Sequence, residues 1–394
     1  MTTKVLIIVE NLPVPFDRRV WMEATTLRTV GYEVSVICPT GKGYETPYEV
    51  IEGIHVYRHT LPEEQHSSIG YIREYASALW AEWRVARRVW RERGFDVIHA
   101  CNPPDLIFLI GAWFKLFHGT KFIFDQHDLN LELYESKFNG RHDLFYYALK
   151  LAERLTFATA DTVISTNESY RAVALQRGRK KPEQVHVVRS APDISKFNPV
   201  PADPSYRRGR KYLVGYLGVM GPQDGLDHLL RAAHELVVNR NRRDIQFCLI
   251  GKGTMFDELQ KMAHDLGVTE CVEFTGRIPD AEMKVRLSSC DVCVNPDPLN
   301  PLNDVSTMNK IMEYMALSRP IVQYDLKEDR FSAGEASWYA EPNNVVDLAA
   351  KIEQLLADEA ARTKMGALGR KRMEDSLAWH HQAPRLLAAY AATV

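Results

Sequence analysis

Residues 306–315 read STMNKIMEYM and run directly into ALSRPIV. At helical spacing Met308, Ile311, Met312, Met315 and Ala316 form an apolar stripe. Ser306, Asn309, Lys310 and Glu313 form a second, polar stripe. The chain then continues through Arg319-Pro-Ile-Val322, which reads as a buried strand. A helix joined so closely to a buried strand belongs to an α/β sheet, where little of it meets bulk water, so the polar stripe needs something else to face. Ser306 and Thr307 are N-cap residue types, which predicts that the amides of 306–308 sit at the positive end of the helix and can hold an anion. Lys310 follows about one turn later and Glu313 one turn after that. Amides for a diphosphate and a carboxylate for a sugar's vicinal hydroxyls would suit a nucleotide. A plain Lys–Glu pair at i,i+3 fits the same spacing.

Outward from this stretch, strands alternate with helices in both directions. Short apolar runs at Val5–Val9, Tyr32–Cys38, Ile54–Tyr57, Val97–Ala100, Lys121–Phe124, Thr162–Ser165 and Val185–Val188 are separated by helical patterns, one of them opened by Asp17. The pattern is that of a parallel, doubly wound sheet. A proline-bearing polar stretch follows, and then a second series with strands at Tyr212–Leu217, Phe247–Ile250, Val272–Phe274, Val292–Asn295 and Ile321–Tyr324. The expected architecture is α/β with two Rossmann-like domains and ligands at the carboxyl ends of the strands in a cleft between them. The expected bounds are 1–198 for the first domain, 199–210 for a linker and 211–376 for the second. A terminal helix, 377–394, returns to the first domain.

The bulk properties fit a soluble globular protein. The chain has 394 residues, 45% hydrophobic and 25% charged, with a net charge of −2. That balance offers no field for nucleic acid. No apolar run approaches the ~20 residues of a spanning helix, and the start does not read as a signal peptide. Six scattered cysteines fit a reducing, cytoplasmic setting. Cys290-Asp-Val-Cys293 opens an apolar strand and reads as buried packing, with no second pair to complete a zinc site. No phosphate-binding P-loop, H-E-x-x-H or G-x-S-x-G is present. Gly251-Lys252-Gly253 reads equally as a tight turn or as a turn near phosphate.

Ser306-x-x-x-Lys310-x-x-Glu313-Tyr-Met-Ala316-x-x-x-Pro320-Ile-Val322 resembles the donor-site signature of the GT-B glycosyltransferases of family 4. Tyr216-Leu-Gly218, Leu249-Ile-Gly251-Lys-Gly253 and Phe274-Thr-Gly276-Arg277 extend the likeness, as do Gly31-Tyr-Glu-Val34, Val97-Ile-His99 and Phe124-Asp-Gln-His127-Asp128 in the first half. The resemblance implies a GT-B fold and a retaining transfer of sugar from a nucleotide sugar, taken as a UDP-sugar, to an acceptor hydroxyl. It implies Glu313 on the ribose and Ser306, Thr307 and Met308 on the diphosphate. Arg277 and Ile278 would lie at the base, with Gly218, Gly251 and Gly253 lining the nucleotide. His127 and Asp128 would be at the donor sugar, and Asn11, Arg18 and Arg19 are acceptor-side candidates. It implies neither metal nor cofactor.

Three features depart from the family pattern. Val219 and Asp224 stand where Arg and Lys are usual, Val305 replaces the first Glu of the E-x7-E pair, and NLPVPFDRR replaces a glycine-rich loop. Lys310 and Lys252 are therefore the candidate cations for the leaving diphosphate. The acceptor is expected to be a glycan, a lipid-linked sugar or a small molecule. An epimerase, a phosphorylase or a non-catalytic nucleotide-sugar binder remains open on this fold. The segment Ile69–Arg93, with Arg73, Arg84, Arg87, Arg88, Trp80, Trp83 and Trp90, reads either as a core helix or as a peripheral contact with an anionic membrane.

Overall fold

The computed structural model describes residues 2–60, 68–138 and 140–394, with the side chains of 68–76 and 137 left aside. The chain divides into two compact units. Unit 1 comprises Met1–Ser190 with His380–Val394, and unit 2 comprises Ala191–Trp379.

Unit 1 begins with β1 (Lys4–Ile8), α1 (Arg18–Thr29), β2 (Glu33–Pro39), β3 (Tyr48–Ile51), β4 (Ile54–His59) and α2 (Ser68–Glu92). It continues with β5 (Val97–Cys101), α3 (Phe108–His118), β6 (Lys121–Gln126), α4 (Asn130–Lys137), α5 (Leu144–Thr159), β7 (Thr162–Ser165), α6 (Glu168–Gln176) and β8 (Val185–Val187). The sheet order is β3-β4-β2-β1-β5-β6-β7-β8, parallel except for the antiparallel edge pair β3/β4. The central strands are buried on both faces, which is why they read as unbroken apolar runs. Asp17 caps α1 by accepting the Val20 amide, and Val20, Ala24 and Leu27 bury its inner stripe. Residues of α2, α3, α5 and α6 share one core with β1, β5, β6 and β7, so these four helices cover a single face of the sheet.

Unit 2 runs β9 (Tyr212–Leu217), α7 (Leu226–His234), β10 (Ile245–Ile250), α8 (Phe256–Asp265), β11 (Val272–Gly276), α9 (Asp280–Ser289) and β12 (Val292–Asn295). There follow α10 (Asn309–Ala316), β13 (Ile321–Tyr324), α11 (Lys327–Ala333), β14 (Ser337–Ala340), α12 (Val345–Ala357) and α13 (Glu359–Arg372). Its sheet order is β11-β10-β9-β12-β13-β14, all parallel. The order reverses between β9 and β12, which makes the space beyond their carboxyl ends the switch point of the sheet. In unit 1 the equivalent reversal lies between β1 and β5. The last helix, α14 (Trp379–Ala391), belongs to unit 1 from His380 onward.

The segment expected as a linker, 199–210, folds onto unit 2. The Val200 and Asp203 amides donate to Ser288 and Ser289, and Arg207 pairs with Asp291 at 2.6 Å. Ala191 and Phe197 are buried in the same unit's core, so the chain changes units at Ser190 and not at 198. Proline and charge signalled a break in regular structure here, and the ordered contacts come from partners ~90 residues downstream that sequence spacing does not reveal.

Candidate functional site

In unit 2 the expected donor residues collect around the switch point. Gly218 follows β9, Gly251 follows β10, Arg277 follows β11, and α10 starts from the loop after β12. These strand ends pack backbone to backbone. Gly251 has φ of +133°, its amide donates to the Gly276 carbonyl, and a Cβ there would stand 1.8 Å from the Gly218 oxygen. A Cβ on Gly253 would meet the Met220 carbonyl at 2.5 Å. Close approach of the strand ends is thus sufficient reason for the G-x-G. Lys252, between the two glycines, is exposed with its ammonium 5.4 Å from the Phe256 ring centroid. Ile278 packs against the unit's core beneath α10.

The start of α10 differs from expectation. Met308 is the N-cap, and the helix opens at Asn309. Residues Asn303–Val305 form a 3-10 turn first, held by Asn300 Oδ1 accepting the Leu302 and Asn303 amides. The Ser306 amide donates to the Asn303 carbonyl at 3.3 Å, and its hydroxyl donates to Leu302 at 2.8 Å. Met308, and neither Ser306 nor Thr307, thus stands at the N-cap, and Ser306 is held to the preceding turn.

The polar stripe also divides. Asn309 and Glu313 keep solvent access, whereas Lys310 is buried and donates to both carboxylate oxygens of Asp297 at 2.7 and 2.8 Å. Burial raises the Asp297 carboxyl to about 6 even with Lys310 beside it. Asp224 is raised by burial too, with Lys310 pulling the other way, and its carboxylate accepts the Gly221 amide at 2.9 Å. Asp329, deeper in, is pushed well up by burial and then by Asp297, and it bonds Asn295 at 2.8 Å. Lys310 is thus a cation matched by a carboxylate, contrary to the expectation of a lysine free for phosphate. Tyr314 locks α10 to the sheet, its hydroxyl accepting the Leu217 amide at 2.8 Å and donating to the Val294 carbonyl at 3.3 Å. Sequence reasoning missed both Asp297 and Tyr314. The Asp297 signal was its place just after β12, at a strand's carboxyl end.

The two cysteines of the C-x-x-C are buried, and Cys290 is held far above ordinary thiol behaviour, first by its hydrogen bond with Cys293 and then by burial. They pack the strand, as their sequence context suggested.

In unit 1 the expected residues gather beyond β1, β5 and β6. Asn11 and Arg18 are exposed, while Arg19 is buried. Arg19 bonds Asp125 at 2.8 Å and Glu23 at 3.1 Å, and donates to the Val188 carbonyl at 2.9 Å. Its role is therefore internal, which corrects its assignment to the acceptor side. His127 Nε2 turns inward, 2.6 Å from Asp125 Oδ2. The His127 and Asp128 amides both donate to Asn102 Oδ1, at 2.7 and 3.2 Å. Burial opposes ionisation of Asp125, but Arg19 and His127 outweigh it and hold the carboxyl well below the usual range. Glu23 is pushed well up by burial against the pull of Arg19. Donor atoms of Glu23, Cys101, Asp125 and His127 lie within 4.8 Å of one another, a spacing a metal could use. The Arg19 guanidinium already supplies a cation to two of the four.

Residues 17–191 match the family described as a glycosyl transferase 4-like domain, and residues 211–358 match glycosyl transferases group 1. The chain belongs to the family 4 GT-B glycosyltransferases. The chain is 27% identical over 212 residues to the MMP alpha-(1->4)-mannosyltransferase of Mycolicibacterium hassiacum, covering 53% of this chain and 48% of the relative. It is 29% identical over 185 residues to a GDP-mannose-dependent alpha-(1-6)-phosphatidylinositol monomannoside mannosyltransferase of Mycolicibacterium smegmatis, covering 46% and 48%. The chain spans about half the length of these two relatives. Sucrose-phosphate synthase from Thermosynechococcus elongatus shares its fold, with a TM-score of 0.83 at 17% identity over 99% of this chain and 98% of that one. Anabaena HepE, solved in complex with UDP-glucose, aligns with a TM-score of 0.75 at 16% identity over 99% of each.

Proposed function

We propose that this glycosyltransferase moves a sugar from a nucleotide-sugar donor to an acceptor hydroxyl in glycan or glycoconjugate assembly, with retention of configuration and without a metal. The observation that carries the proposal is the close approach of the glycine turns after β9 and β10 to each other and of Lys310, at the start of α10, to Gly218, with part-exposed Glu313 one turn further along α10. In this reading the amides around Met308 meet the diphosphate, Glu313 takes the ribose hydroxyls, and Arg277-Ile278 flanks the base. Breaking the anomeric C–O bond leaves growing negative charge on the diphosphate, which needs donors fixed in advance. Lys252 is the better candidate cation, because no ion pair among the described residues engages it. The acceptor hydroxyl attacks from the leaving-group face and passes its proton to a phosphate oxygen, so no separate carboxylate base is required. In unit 1, Asp125 orients His127, which the family resemblance assigns together with Asp128 to the donor sugar.

A second reading, nucleotide-sugar binding without transfer, draws on Val219 and Asp224 and on the neutralised Lys310. UDP-sugars and GDP-sugars should both be offered, because the relatives include a protein named as GDP-mannose-dependent. Release of nucleoside diphosphate that rises with an added acceptor supports transfer. Saturable binding with no release under any acceptor supports the second reading.

A further inference from the structure

Unit 1 carries an apolar surface that its own core does not use. On α5, Leu144, Tyr147, Leu151 and Leu155 recur at helical spacing on the outer side, with Leu144 86% and Leu151 57% exposed. The inner side of the same helix is already committed to the core through Ala152, Thr156 and Phe157. An apolar stripe on each side is the mark of a helix with two apolar neighbours, only one of which is this protein. Its neighbour α3 repeats the arrangement. Phe108, Ile110 and Phe114 face inward, while Leu116 is 77% and Phe117 62% exposed. Lys115 ties the two helices together by donating to the Thr159 carbonyl at 2.9 Å.

The charges on this face have one sign. Helix α3 contains no acidic residue, and the single one in α5, Glu153, is buried against Arg177 at 2.7 Å. Lys150 and Arg154 are exposed beside the α5 stripe and enter no ion pair among the described residues. The acidic groups at the margins are already engaged, Asp161 by Lys115 and Asp143 by Arg141. Trp80 of α2 stacks on Trp83 and remains largely exposed, while Trp83 and Trp90 pack among aromatic side chains of α3. Ala78, Glu82, Ala86 and Val89 of this helix are buried, and Arg73 lies outside the described side chains. Among the described residues no helix is long and apolar enough to cross a membrane.

We infer that the outer face of α3 and α5 is a docking surface for an anionic lipid bilayer, with the leucine and aromatic side chains entering the headgroup boundary and Lys150 and Arg154 meeting lipid phosphates. Charge complementarity selects this occupant: apolar contact alone would serve a second copy of the chain, but two unpaired like charges beside the stripe would then face their own duplicates. The inference is independent of the donor site.

The test is flotation of the full chain with vesicles of phosphatidylcholine alone or with ~30% phosphatidylglycerol, alongside light scattering of the free protein. The chain should float with the anionic vesicles and lose that binding as salt rises. Leu116→Glu with Leu151→Glu should reduce partition by about tenfold or more, with an unchanged thermal transition. Lys150→Ala and Arg154→Ala should each cost about fivefold on anionic vesicles only, and they keep the question answerable if the glutamate pair fails to fold. Wild-type protein that stays with neither vesicle overturns the inference. So does a dimer in solution that the glutamate pair converts to monomer, because the face would then join two copies.

Discussion

Lys310 and Glu313 stand three residues apart on α10 and meet opposite surroundings. Lys310 is enclosed with Asp297, while Glu313 keeps partial access to solvent. Glu313→Ala should therefore leave the fold intact and weaken nucleoside-diphosphate binding about tenfold or more, since a hydrogen bond to a charged group contributes about 1.5–3 kcal/mol. Titration calorimetry with UDP and GDP checks this. Lys310→Ala should instead destabilise the protein by about 3–5 kcal/mol, because it strands a buried carboxylate, and the loss should appear in denaturant unfolding. The pH dependence follows from Asp297, whose carboxyl sits near 6. At pH 7.5 it is ionised and offsets Lys310; towards pH 5 it takes up a proton and releases that positive charge. Asp297→Asn should thus bind nucleoside diphosphate about fivefold better than wild type at pH 7.5, a gain of ~1 kcal/mol. That ratio should fall towards one at pH 5. Comparing the two proteins cancels the titration of the ligand itself. The sequence displayed both charges of α10, but a partner 13 residues upstream in an irregular loop has no period to betray it.

At the scale of elements, periodicity located most strands and helices because parallel sheets bury long apolar runs. It failed where a backbone turn intervenes. The 3-10 turn at Asn303–Val305 depends on Asn300 and moved the start of α10 past two good capping residues. The short edge strand β3 and helix α13 were also hidden, α13 because its exposed face and small residues leave a weak apolar stripe. The glycine turns were legible as turns, and the structure supplies the reason for them. Gly251→Ala forces a Cβ into the Gly218 carbonyl from a left-handed backbone position. It should cost about 1–3 kcal/mol or more and lower the denaturant midpoint. Alanine at Gly267, where a Cβ would meet nothing within 4 Å, controls for the backbone conformation alone.

For the whole molecule, the two-unit design was readable from the repeated alternation of strand and helix, and the return of the last helix from its place after a completed sheet. The contacts that seat α14 were not readable. The Tyr390 hydroxyl meets His99 Nδ1 at 2.8 Å, the Arg189 amide donates to Gln382 at 3.2 Å, and Thr393 bonds Thr162 at 2.8 Å. Removing residues 380–394 should loosen unit 1 and leave unit 2 largely as it was. Limited proteolysis should then cut first within 1–190. This arrangement orders events during synthesis. Ribosomes deliver unit 2 as one uninterrupted piece, whereas the first 190 residues must wait for a segment made after all of unit 2. At about 5–20 residues per second, that interval is about 10–40 s. During it the β1/β5 end of unit 1 lacks Tyr390 over His99, and nascent chains arrested before residue 380 should engage chaperones through the amino-terminal half.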